Sequence, residues 1–175
     1  MDMNLIPAQQ SEERGFGMIE TLIAMVILIA GLAAVMGLFV VSATYTHEQG
    51  NVAARATTYT ETKMEELLAL DFTDATTNTT VWPYTNTGTG LCGNLAVSTG
   101  CGSVNPSTPL TNYVDYLDFQ GTRITNAALA FFTRQWSLDM DSTGNLKTIT
   151  VRTSAKRRLG PGTAPSTVLV SYKSR

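Results

Sequence analysis

The chain has 175 residues, 12 Lys and Arg against 14 Asp and Glu, a formal charge of −2, one His and two Cys. That length allows one ordinary domain, and the lack of a long basic stripe or acidic tail argues against a nucleic-acid partner or a solvating segment. A single His, no phosphate-cradling glycine loop and no supported carboxylate pair leave no catalytic constellation, so we expect a non-enzyme with no cofactor and no metal site.

Residues 1–15 come first, and Asp2, Glu12, Glu13 and Arg14 within them carry the whole −2. They contain no apolar core, whereas a secretory signal needs a basic start, 7–15 apolar residues and a small-residue cleavage site. Val41-Ser42-Ala43 before Thr44 has the small-residue character, but the apolar run leading to it is too long for such a signal. From Thr21 to Thr46 no side chain carries a charge. At about 1.5 Å per residue, a helix over this run crosses a hydrocarbon layer of about 30 Å. Glu20 lies inside its leading end, where a lone carboxylate costs roughly 2.5–3.5 kcal/mol at the bilayer centre and less near the interface. Such a residue needs a partner of opposite charge.

The stretch Arg14-Gly15-Phe16-Gly17-Met18-Ile19-Glu20, continued as TLIAMVILIAGL, resembles the class III leader and first helix of type IV prepilins and pseudopilins. It departs at Gly17, where Thr or Ser is more usual. The resemblance implies cleavage between Gly15 and Phe16 by a prepilin peptidase on the cytoplasmic face. It also implies N-methylation of Phe16 by the same enzyme, from S-adenosylmethionine, and a role for Glu20 in assembly. In that family the acid of an incoming subunit is thought to meet the terminal amine of a neighbour. Unlike charges attract strongly at low dielectric, and such pairing makes a buried carboxylate tolerable.

From Ser42 to Leu70 the chain turns amphipathic. Tyr45, Val52, Ala56, Tyr59, Met64, Leu67 and Leu68 form an apolar stripe, while Glu48, Arg55, Glu61, Lys63, Glu65 and Glu66 are expected mostly on the other faces. One helix from Phe16 to Leu70 would be about 80 Å long. Gly31, Gly37 and Gly50 are its interruptions, and no proline occurs between Pro7 and Pro83.

Residues 71–112 read as loop with one or two short strands or a helical turn inside it, and Tyr113 to Phe119 as an extended piece or a short helical turn. Cys92 and Cys101 stand nine positions apart in this stretch. Outside the cytoplasm two nearby cysteines favour a disulfide, worth about 2–3 kcal/mol for so short a loop. A zinc site would need ligands that the distant His47 does not supply.

The last third alternates with period two. Phe132, Arg134, Trp136, Leu138 and Met140 share one side of a strand, a turn follows at Asp141–Asn145, and Leu146 to Ala155 and Thr167 to Tyr172 supply two more strands. An antiparallel meander results. Lys156-Arg157-Arg158 suits a solvated hairpin tip, and Asp139 and Asp141 suit a turn better than a calcium loop. The pattern R-x-W-x-L…L-K-x-I-x-V from Arg134 to Val151, closed by V-L-V-S-Y, resembles the C-terminal sheet of PilV-type minor pilins.

The resulting expectation is an α+β type IV pilin fold. Residues 1–15 would be the leader, 16–41 a transmembrane and filament-core helix, 42–70 its amphipathic continuation, and 71–175 a globular head. The resemblance implies a minor type IV pilin held in a bacterial inner membrane and later in a pilus. Its partners would be the prepilin peptidase, other major and minor pilins, the inner-membrane assembly platform and membrane lipid. A minor pseudopilin of a type II secretion system is the nearest rival, and a secreted or singly anchored binding domain the next.

Overall fold

Helix formation begins where the apolar run begins. In the computed structural model, which describes residues 17–156 and 163–175, helix α1 spans Met18–Ala69. Ala, Leu, Ile, Met and Val without proline leave nothing to break the run. The chain divides into two compact units, Met1–Ala43 and Thr44–Arg175.

In the first unit every described residue is exposed, including Leu22, Ile23, Val26, Ile29 and Phe39. An apolar surface of this extent is untenable in water and suited to lipid or a protein partner. The helix is long and apolar enough to cross a membrane.

The second unit is a helix on an antiparallel sheet. Strands β1 (Gly100–Gly102), β2 (Val114–Leu117), β3 (Arg123–Ile124), β4 (Phe132–Met140), β5 (Leu146–Ala155) and β6 (Ser166–Ser174) make one sheet in the order β3-β2-β4-β5-β6, with β1 also on β4. The three long C-terminal strands form the expected meander, with Trp136 opposite Val151 and Val151 opposite Leu169. The sheet also recruits β1, β2 and β3 from residues 100–124; of these only β1 falls in the stretch 71–112 expected as loop with short strands inside it. Within the expected Tyr113–Phe119 piece, Val114–Leu117 is strand β2.

The core lies between the sheet and the α1 stripe Val52, Ala56, Thr60, Lys63, Met64 and Leu67. Leu67 and Met64 pack with Leu91, Trp136, Leu138, Ile149 and Val151. Val52 and Ala56 pack with Leu117, Phe132 and Ala155. Two expectations for the stripe change. Tyr45 is exposed, and Lys63, expected on a solvent face, is fully buried. Lys63 stands four residues from Tyr59 and four from Leu67, so helical geometry places it on the packed face whatever its charge.

The polar stretch after α1 is pinned by backbone groups rather than apolar side chains. Asp74 accepts from the Thr76 and Thr77 amides at 2.9 and 3.0 Å, and from the Thr77 hydroxyl at 2.6 Å. Its own carbonyl accepts from Leu91 and Gly93. The buried Lys147 Nζ of β5 then donates to the carbonyls of Phe72, Leu91 and Gly93 at 2.5, 2.7 and 2.6 Å. One ammonium gathers three carbonyls that would otherwise be buried unpaired, which is how so polar a segment packs.

Candidate functional site: an acidic first turn, a buried charge cluster and a cysteine pair

Glu20 sits in the first turn of α1, and its amide donates to the Gly17 carbonyl at 2.9 Å. A carboxylate at a helix N-terminus faces the positive end of the helix dipole and the unpaired first-turn amides. Beyond it, the exposed surface is apolar through Val41 apart from small residues and Thr21, whose hydroxyl donates to the Met18 carbonyl at 2.8 Å. Gly15 and Phe16, the expected cleavage site and new terminus, lie outside the described residues.

Within the second unit the densest chemistry is a cluster of charges between α1 and the sheet. Arg134 grips Asp115 with two bonds of 2.8 and 2.7 Å, from Nε to Oδ1 and from Nη2 to Oδ2. Such a fork-to-carboxylate pair is the strongest ionic geometry available to side chains. Lys63 Nζ approaches Asp115 Oδ2 at 3.3 Å and Glu66 Oε2 at 3.4 Å, donates to the Thr79 carbonyl, and lies 3.9 Å from the centre of the Trp136 ring. Arg123 pairs with Glu66, reaches Asp115 at 3.3 Å and donates to the Val81 carbonyl at 2.9 Å. Three cations thus face two carboxylates. Carbonyl oxygens of Thr79, Val81 and Tyr59 offset the excess positive charge.

The titration shifts follow from this arrangement. Burial pulls Lys63 from 10.5 down to about 8, against the attraction of Asp115. Burial pushes the Asp115 carboxyl up, but Lys63, Arg134 and Arg123 outweigh it and hold the group below 3.8. Burial likewise works against Arg134, and Asp115 more than compensates, so that guanidinium is raised. Tyr84, beside Glu66 and Arg123, is raised by burial and by the Glu66 charge.

A cleft of about 890 Å³ opens over the cluster, lined by Thr62, Glu66, Trp82, Tyr84, Arg123 and Arg134 among others. The carboxylate and guanidinium groups in its lining, Glu66, Arg123 and Arg134, are each engaged in an ion pair that helps to cross-link helix and sheet. Among the described residues no group of three or more His, Cys, Asp or Glu side chains is placed to hold a metal.

Cys92 and Cys101 stand at disulfide distance, with Cα atoms 6.7 Å apart. The pair ties the Asp74-organised loop to β1, and through β1 to Leu138 of β4. Asp139 and Asp141 flank the β4–β5 turn. Asp141 accepts from the Asn145 and Leu146 amides at 3.1 Å and from the Thr143 hydroxyl, which lowers its pKa and accounts for its place there. Lys156 Nζ donates to the Ala127 carbonyl at 2.5 Å; Arg157 and Arg158 lie outside the described residues.

No protein-family model, no curated protein and no solved structure matches the chain.

The residue patterns above singled out Glu20 and the cysteines but not the cluster. Its one signal was placement: Lys63 lies on the packed face of α1, and Arg134 shares one strand face with Phe132 and Trp136. Asp115 and Arg123 carried no signal, because the strands holding them are only four and two residues long.

Proposed function

We propose that the chain is a minor type IV pilin of the PilV kind, a structural and assembly subunit rather than an enzyme. The observation that carries this reading is Glu20: one acidic residue in the first turn of a helix whose following surface is exposed and apolar. An ordinary membrane anchor gains nothing from a carboxylate at that depth. A subunit that docks its helix beside others gains a charge that pairs with a neighbour's terminal amine and sets their register.

On this reading, a prepilin peptidase cuts between Gly15 and Phe16 and methylates the Phe16 amine. The apolar helix holds the subunit in the inner membrane until an assembly platform passes it to other pilins, and the sheet-bearing unit lies outside the cytoplasm. There an oxidising environment maintains the Cys92–Cys101 bond.

The test is substitution at Glu20, whose exposure leaves the fold untouched. In a host with a type IV pilus system, Glu20→Ala and Glu20→Gln should leave membrane levels unchanged and remove the protein from sheared pili. Normal incorporation of both variants would contradict the proposal and favour an anchored binding domain. Recovery of secretion-channel proteins instead of pilus-assembly proteins from native membranes would assign the chain to a type II secretion pseudopilus.

A further inference from the structure

Trp82 is 70 % exposed, although tryptophan is on average a strongly buried residue. It is also firmly held. The Asn78 amide donates to the Thr85 carbonyl at 2.7 Å, closing the loop that carries it. Arg123 donates to the neighbouring Val81 carbonyl at 2.9 Å. Tyr84 meets the indole edge to face, with ring centres 4.9 Å apart. An apolar ring fixed in water is a pre-organised platform, and a ligand that stacks on it loses little affinity to ordering the protein.

The indole lines the cleft of about 890 Å³ between α1, the 78–85 loop and the β2–β3 hairpin. The α1 wall contributes Thr58, Thr62 and Glu66, spaced four residues apart and so aligned on one helix face. The Thr58 hydroxyl donates to the Ala54 carbonyl at 3.2 Å, and the Thr62 hydroxyl to the Thr58 carbonyl at 2.9 Å. Each has spent its one hydrogen on the helix and keeps lone pairs to accept with. Glu66 meets Lys63 and Arg123 through Oε2, and a carboxylate offers about four acceptor sites in all. This wall is a column of acceptors, one per helical turn.

Charge narrows the ligand further. Arg123 and Arg134 in the lining repel a cation. Each already holds a carboxylate, Glu66 or Asp115, so an anion would have to break an ion pair to bind. A neutral molecule with several hydroxyl donors and a flat apolar face meets both conditions. A pyranose ring has these features: its C–H bonds point slight positive charge at the negative face of an indole, and its rim carries hydroxyls. We propose that the cleft binds a neutral saccharide, with a pyranose face on Trp82 and hydroxyls donating to Thr58, Thr62 and Glu66. This site stands apart from the apolar helix and from the role of Glu20.

The test uses the full chain in micelles of a zwitterionic detergent, which brings no competing sugar headgroup. An array of neutral and acidic oligosaccharides selects the ligand, and calorimetric titration with that sugar gives the affinity of each variant. Of the two tryptophans Trp136 is fully buried, so a change in emission on adding sugar reports Trp82. Neutral oligosaccharides should bind and shift that emission. Trp82→Ala should weaken binding about tenfold or more, and Trp82→Phe less, because Phe keeps a ring. Thr58→Val and Thr62→Val keep the side-chain shape without the acceptor, and each should weaken binding about threefold or more. All four substitutions fall at exposed positions and should leave the circular dichroism spectrum unchanged. Any of four results would overturn the proposal: no neutral oligosaccharide bound at millimolar concentration, binding confined to acidic ones, an affinity indifferent to Trp82→Ala, or one indifferent to both valine variants. A shift of Trp82 emission on concentrating the protein, with none on adding sugar, would assign the cleft to a second protein chain and equally reject the saccharide.

Discussion

Three cations and two carboxylates share one buried site around Lys63 and Asp115, and their balance sets how the sheet-bearing unit responds to mutation and pH. Asp115→Ala leaves Lys63, Arg123 and Arg134 with Glu66 alone, and should destabilise by about 3–5 kcal/mol, as expected when a buried pair loses one partner. Lys63→Met leaves two arginines with two carboxylates and should cost far less, because an apolar side chain can replace a buried ion at little loss. Denaturant titration followed through the buried Trp136, in a Trp82→Phe background, measures both.

The pH dependence has two separate windows. Asp115 is held below 3.8 in the folded state, so its contribution is present above that value and is lost as pH falls through the folded pKa. Lys63 titrates near 8 folded and 10.5 unfolded, so the unfolded chain binds more protons between these values and stability rises with pH across them. The parent should gain on Lys63→Met between pH 8 and 10.5; a constant difference would contradict the assigned shift. At this scale the signal lay where charge and position disagree, and the reading of Lys63 as solvent-facing missed it. Lys63 and Lys147 fall on packed stripes, and the strand alternation that puts Ile149 and Val151 inside puts Lys147 there too. Their acceptors are mostly backbone carbonyls from segments distant in sequence, which no pattern of side chains announces.

At the scale of elements, α1 and the three long strands were legible because each is long and periodic. The two shortest, β1 and β3, have three and two residues, and a strand that short shows no period. What builds them is the loop chemistry around them. The Asp118–Thr122 hairpin needs Gly121 at φ +90°, where an added Cβ would also come within 2.5 Å of the Tyr59 ring. Gly121→Ala should therefore destabilise by more than the roughly 1 kcal/mol of an ordinary glycine replacement, read as a lowered urea midpoint. The cysteine pair acts on the same region. Cys92→Ser with Cys101→Ser should cost about 2–3 kcal/mol and, by freeing β1 from the Asp74 loop, should raise hydrogen exchange at Gly100–Gly102 before it does so at β5.

For the whole molecule the two units pose different problems. The sheet-bearing unit buries an apolar core between α1 and the sheet, while the unit ending at Ala43 exposes a surface that only lipid or other chains can cover. Under the proposed function Glu20 at the start of that surface would mark an assembling subunit rather than a passive anchor, and its proposed partner is an amine created only by processing. The decisive measurement is therefore the mass of the mature N-terminal peptide, from protein made in a host with a prepilin peptidase. The account predicts a chain beginning at Phe16 and carrying one added methyl group. A chain beginning at Met1 or Thr44 would contradict it, leaving Glu20 without the neighbouring amine on which the assembly role depends.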